Sequence, residues 1–349
     1  MDSLTQAVLG AGIQGSLMGR YQGRKALLYG GLLATLPDLD VLMSYPDPVS
    51  LMTYHRGFSH SVFVLGGLAA VLAWLIRKKW PHAPYSAGRL FLTLFLVLVT
   101  HPVLDAFTVY GTQLFWPWPS VPESWSAMFI IDPVYTVPLA LAVLAAAIFG
   151  CTGGARRALA IVLMLGTVYL GAALAGRWHA EERVRQALLQ QGVRPTAVLA
   201  TPMPFNILLW RVLAKDGHGQ YYEAVSGWLD RHPPEMLALP LHLAQRPILD
   251  GVALHDRLRW FTDDWLRYDV IGDALVVTDL RMGVAGYYTF RFVMAERGAD
   301  GRWHPVVPRR WPSGRGGWPQ MQLLLARIFD SSTPLPLAEW AAYAARALP

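Results

Sequence analysis

The sequence predicts an all-α polytopic membrane bundle of four to six segments over residues 1–176, followed by a soluble α+β domain over residues 177–349. Three observations lead there. Of the 349 residues 54% are hydrophobic and only 15% are charged, too apolar for an ordinary soluble chain. Only ten of the 30 Lys and Arg residues precede Arg177. The apolar stretches of that first half have lengths close to the ~20 helical residues that cross a bilayer core.

Each segment follows from its boundaries. Residues 61–76 carry no charge and end at Arg77-Lys78-Lys79. Residues 90–104 follow Arg89 and are apolar apart from Thr93, Thr100 and His101. Residues 133–149 and 158–176 are separated by a turn carrying Gly150, Gly153, Gly154, Arg156 and Arg157. Two weaker segments, 4–19 and 26–36, are short and glycine-rich, suited to close packing within a bundle. A soluble helical bundle is disfavoured, because 61–76 and 158–176 have no polar face to offer water.

With all six segments inserted, Arg20, Arg24, Lys25, Arg77, Lys78, Lys79, Arg89, Arg156 and Arg157 fall on one side, against Arg56 alone on the other. Positive loops face the cytoplasm. The expected location is therefore the cytoplasmic (inner) membrane, with the C-terminal region outside. The N-terminus lacks the basic start of a cleavable signal. The single Cys151 cannot form an internal disulfide. The net charge of +6 is explained by these loops, and no basic stripe with interleaved aromatics predicts nucleic acid as a partner. The lipid bilayer is the partner expected; no protein partner is singled out.

Ionisable residues in the apolar half gather in few places. They are Asp38 and Asp40 in Pro37-Asp38-Leu39-Asp40, His55 and His60 in His55-Arg56-Gly57-Phe58-Ser59-His60-Ser61, and His101 and Asp105 in His101-Pro102-Val103-Leu104-Asp105, with Asp132 heading the next helix. Each group falls near the same end of its segment. His101 and Asp105 share a helix face if the helix continues through Pro102, and Asp38 and Asp40 converge from a turn. Such residues are costly beside hydrocarbon and are usually functional or paired. Imidazole with carboxylate suits a divalent metal, zinc or manganese in preference, and the surplus of ligands suits two ions bridged by an aspartate. Asp38 or Asp40 would then bridge or act as general base, and Arg56 would grip a phosphate or carboxylate. Asp2, Thr5 and Gln6 either orient the histidines or cap the first helix. Trp116, Trp118 and Trp125 mark a membrane interface or cover a lipid-like substrate.

At these motifs the sequence resembles the YdjM family of membrane-bound metal-dependent hydrolases, also described as LexA-binding inner-membrane proteins. The matching pieces include Met1-Asp2-Ser3-Leu4-Thr5-Gln6, Tyr110-Gly111-Thr112 and Phe115-Trp116-Pro117, and they cover roughly residues 1–176. The resemblance implies metal-dependent hydrolysis, with Asp38, Asp40, His55, His60, His101 and Asp105 at the metal. A looser similarity to zinc-dependent phospholipases C implies a phosphoester, small or lipid-like. LexA fits poorly with a C-terminal region outside the cell. A membrane adaptor would tolerate loss of the ligands. A metal transporter would need ionisable groups at mid-membrane, whereas these bunch towards one side.

Beyond Arg177 the composition becomes ordinary. Residues 181–191 read as helix, and 195–209, 269–278 and 286–294 contain strands, with a hairpin turn at Gly272-Asp273. Asp263 and Asp264 suggest a loop or helix start, and residues 304–318, with Arg309, Arg310 and Arg315, suggest an exposed loop.

Overall fold

The computed structural model describes residues 1–314 and 316–344. It divides into two units, one of residues 1–43, 54–174 and 204–206, the other of 44–53, 175–203 and 207 onward.

The first unit is helical. α1 (Ser3–Gln22) and α2 (Lys25–Ala34) form a tight hairpin, and a 3-10 turn (Pro37–Leu42) follows. A Cβ on Gly10 would lie 2.4 Å from the Gly30 carbonyl oxygen, and one on Gly30 would lie 2.2 Å from that of Gly10. Only glycine at both positions lets the two backbones touch. After α3 (Pro48–Tyr54), which up to Thr53 belongs to the second unit, and a short 3-10 turn (Phe58–His60), α4 (Val62–Lys79) and α5 (Ala87–Ala106) pack over a shared core of Leu65, Ala69, Leu90, Leu94 and Leu98. α6 (Pro133–Phe149) and α7 (Gly153–Gln190) complete the helical region.

Local chemistry sets the starts. Ser61 Oγ accepts from the amides of Phe63 and Val64, Ser86 Oγ from Arg89, and Asp132 Oδ1 from Val134 and Tyr135. Each satisfies donors that the first helical turn leaves unpaired. α5 continues through Pro102, which keeps His101 and Asp105 on one face.

Among the described residues two helices, α5 and α7, are long and apolar enough to cross a membrane. The count becomes three if residues 48–60 and α4, bent by 43°, form one broken span. α2 and α6 are shorter apolar helices.

In the second unit the chain forms two antiparallel four-stranded meanders. β1 (Ala197–Pro202), β2 (Leu209–Lys215), β3 (Gln220–Gly227) and β4 (Glu235–Pro240) pair in that order. After α8 (Ala253–Thr262), β5 (Leu266–Ile271), β6 (Ala274–Val284), β7 (Tyr287–Arg297) and β8 (Trp303–Arg310) do the same. The β5–β6 hairpin pairs Ile271 with Ala274 around Gly272, whose φ of +57° is open to glycine at little cost. The C-terminal half of α7 buries Ala180, Val184 and Leu188 against Trp210, Val212 and Ala224 of the first sheet. Leu213, Tyr221, Trp265, Leu280 and Tyr288 form a core between the sheets. α9 (Trp318–Phe329) and α10 (Leu337–Ala344) pack at its edge through Leu324, Ile328 and Trp340.

One expectation is corrected. Residues 304–310 belong to β8, because Phe292 to Arg297 offer a strand edge that pairs with them; Arg315 lies outside the described residues. Asp263 and Asp264 take the loop alternative, in the turn that closes α8, both in left-handed conformation. The composition change at Arg177 falls within α7, which is continuous from Gly153 to Gln190.

Candidate metal centre

Three separate stretches deliver the cluster. The 3-10 turn after α2 presents Asp38, the turn before α4 presents His60, and the last turns of α5 present His101 and Asp105. His60 and His101 both turn Nε2 inward. The distances from His60 Nε2 are 3.4 Å to Asp38 Oδ1 and 3.3 Å to Asp105 Oδ2; those from His101 Nε2 are 3.3 Å and 3.4 Å to the same two oxygens.

The outward nitrogens explain this orientation. His101 Nδ1 lies 2.6 Å from the carbonyl oxygen of Ala34, an atom that can only accept, so Nδ1 carries the proton. His60 Nδ1 lies 2.9 Å from Ser59 Oγ, whose own hydrogen goes to Asp40 Oδ2 at 2.8 Å. His60 Nδ1 therefore donates as well. In their neutral forms both rings aim an Nε2 lone pair at the same point. Tying one ring nitrogen to a carbonyl or hydroxyl while the other faces the ion is how metal-binding histidines are held.

His60 Nε2, His101 Nε2 and Asp105 Oδ2 are buried and have no hydrogen-bond partner. Buried polar atoms without partners are rare and call for an explanation. Three of them facing one another, with Asp38 beside them, make a donor set that can hold a metal ion.

A second group, Asp38, Asp40 and His55, shares Asp38 with the first. His55 Nδ1 is 2.9 Å from Asp40 Oδ1, while Asp40 Oδ2 accepts from the Arg56 amide at 3.1 Å and from Ser59. Both Asp40 oxygens are thus engaged in ordering the loop. Burial alone would raise the carboxyls of Asp38 and Asp40; the imidazoles beside them, with Ser59 at Asp40, hold both below the usual carboxylate range.

Arg56 is buried, with Nε 3.3 Å from Asp105 Oδ2, NH1 3.3 Å from Thr108 Oγ1 and its guanidinium over the Tyr110 ring at 4.9 Å. Gln6 Nε2 donates to Asp105 Oδ1 and to the His101 carbonyl, both at 3.2 Å, and the Met1 nitrogen also meets Asp105 Oδ1. Asp2 and Thr5 take the capping alternative: Asp2 Oδ1 accepts from the Thr5 amide at the start of α1. Asp132 caps α6 and accepts from Tyr169. Ser59 and the Ala34 carbonyl were missed by sequence reasoning. Ser59 sits in the histidine motif and could have been found there, whereas nothing in the sequence marks a backbone oxygen 67 positions from its histidine.

Comparison with known proteins agrees with the helical region. A family model described as YdjM inner membrane protein matches residues 1–180, more than half of the chain. The inner membrane protein YbcI of Escherichia coli (strain K12) is 35% identical over 117 residues, 33% of this chain and 65% of that protein. The uncharacterized protein YfhP of Bacillus subtilis (strain 168) is 27% identical over 139 residues, 38% of this chain and 41% of that protein. The chain thus spans less than two thirds of the length of either relative. No solved structure matches the chain.

Proposed function

The chain belongs to the YdjM inner membrane protein family, and on that premise we propose that it is a metal-dependent hydrolase acting on a phosphoester with a lipid-like part. The observation that carries this reading is the set of buried atoms without hydrogen-bond partners on His60, His101 and Asp105, with Asp38 beside them.

Two imidazole nitrogens and two carboxylate oxygens form a donor set suited to zinc. The four His–Asp distances of 3.3–3.4 Å are compatible with ligand atoms around such an ion, ~3.3–3.6 Å apart in a tetrahedron. Asp38, shared by both groups, is the residue suited to bridging a second ion held with Asp40 and His55.

A bound divalent ion would supply a water of lowered pKa and a Lewis acid for the phosphoryl oxygen. The remaining roles fall to the chain. Asp38 is 28% exposed where its three companions are buried, so substrate and water would reach the cluster past it, and whichever of Asp38 and Asp40 does not bridge would take the proton of the attacking water. Arg56 sets charge beside Asp105 and offers donors to a substrate phosphate. Next to Asp38 the chain exposes Leu39, Val41, Leu42 and Met43, and Phe58 packs on Trp116 at 5.1 Å, also exposed. An apolar rim around a polar cluster suits an amphiphile, head inward and chain along the rim.

On this reading four to six segments enter the membrane. The site lies at the ends of α4 and α5 opposite Arg77, Lys78, Lys79 and Arg89, hence on the extracytoplasmic side, and so does the region beyond α7.

Metal analysis of the purified protein, with hydrolysis of phosphodiester and phospholipid substrates, tests the proposal. We expect stoichiometric zinc, activity abolished by chelation and restored by zinc, and loss of both metal and activity in His60→Ala and His101→Ala. A protein that binds no divalent ion when zinc or manganese is supplied would refute it.

A further inference from the structure

A second feature lies where α7 leaves its apolar stretch. α7 has 38 residues and is therefore about 57 Å long, whereas a bilayer core is ~30 Å thick. Its apolar run lies between Arg157 and Arg177, and only 11% of the most apolar window is buried within the protein. As a span, α7 would be covered by lipid over the rest and would leave the hydrocarbon near Gly176.

Against that level the chain places the turn between β3 and β4. A Cβ on Gly176 would meet the Trp228 indole nitrogen at 2.9 Å, and the His179 ring stacks on Trp228 with centroids 4.9 Å apart. Trp228 is nevertheless 44% exposed, the next residue Leu229 is 54% exposed, and Trp178 of α7 is 67% exposed. Arg231 and His232 follow, both exposed. Singly exposed apolar residues need no explanation. Three large ones grouped beside basic side chains, at the exit of a lipid-covered helix, match the aromatic and basic composition of a membrane interface.

The turn is also held rigid. Arg327 grips the Asp230 carboxylate through two bonds of 2.6 and 2.8 Å, and that carboxylate accepts from the Gly227 amide at 2.7 Å. Arg183 donates to the carbonyls of Gly227 and Asp230 at 3.0 Å and of His232 at 2.7 Å. Trp228 and Leu229 thus project from a frame ordered in advance, so little further entropy is lost when they enter lipid.

We propose that Trp178, Trp228 and Leu229 form a membrane foot, seated in the interfacial layer of the leaflet from which α7 emerges, with Arg231 against lipid phosphates. This rests on α7 being a span and is independent of the hydrolase reading.

The test uses the full chain in proteoliposomes of phosphatidylcholine and phosphatidylglycerol. In a Cys151→Ser background, a polarity-sensitive fluorophore is attached through Leu229→Cys or, for comparison, through Gln190→Cys. Gln190 lies at the far end of α7, about 21 Å beyond Gly176. We expect the label at 229 to be shielded from iodide about threefold or more relative to that at 190, and quenched by lipids spin-labelled at shallow depth, as befits a group ~5–10 Å into the interface. Shielding at 229 no greater than at 190, or no quenching by spin-labelled lipid, would overturn the proposal. The second outcome covers a patch buried against protein instead of lipid. Far-UV circular dichroism and α7 labelling at Leu165→Cys, quenched by deep spin labels, verify that each variant is folded and inserted.

Discussion

Both halves of the molecule bury charge, but they treat it differently. In the C-terminal unit the buried ions are closed pairs. Arg211 meets Glu223 at 2.6 and 3.0 Å and donates to the Leu280 carbonyl; Glu223 accepts from the Ala285 amide; Arg281 grips Asp279. In the helical unit the buried His60, His101 and Asp105 leave one atom each without a hydrogen-bond partner, facing one another, although Arg56 lies beside Asp105. The Arg211–Glu223 pair joins β2 to β3 and, through Leu280 and Ala285, ties the first sheet to the second, whereas Arg281 and Asp279 pair within β6. An open set of ligand atoms is costly without an occupant. On the proposed function, the contrast separates charge buried for architecture from charge buried for chemistry more clearly than burial alone.

The largest expected effect lies on the architectural side. Glu223→Ala strands the Arg211 guanidinium between the sheets and should cost about 3–5 kcal/mol of stability, read as a lowered unfolding midpoint of the C-terminal unit, while zinc content is unchanged. Equal loss of zinc and stability would break the comparison. On the chemical side, Ser59→Ala removes the acceptor that orients His60 and should weaken zinc binding about 10- to 100-fold in a competition titration, with the unfolding midpoint little changed. Unaltered affinity would show that His60 needs no such support.

The smallest effect concerns pH. Burial would raise the Asp230 carboxyl, but Arg327 and the Gly227 amide hold it below its usual value. A group depressed in the folded state stabilises fully above its unfolded pKa of ~3.9 and loses that contribution as pH falls through the folded value. Asp230→Asn should therefore melt below the wild type at pH 7, the two converging as the pH falls well below 4. A gap in melting temperature that persists undiminished at low pH would assign the loss to packing.

The sequence by itself determined the long apolar helices of the first half, because apolar length and basic flanks are local properties, whereas α3 and the caps Ser61 and Ser86 came from the structure. It also determined which side chains were available to a metal, since ionisable residues stand out against an apolar background. Only the tertiary structure decided how these are divided. Asp38, His60, His101 and Asp105 form one group of ligand atoms, and Asp38, Asp40 and His55 a second that shares Asp38, with Asp40 and His55 also bonded to each other. That division depends on contacts between distant positions: Ala34 on His101, Gln6 on Asp105, Ser59 between Asp40 and His60. The course of α7 past Arg177 was hidden for a related reason. Composition reports the solvent a helix meets, and one helix can pass from lipid to water without a break in its hydrogen bonds.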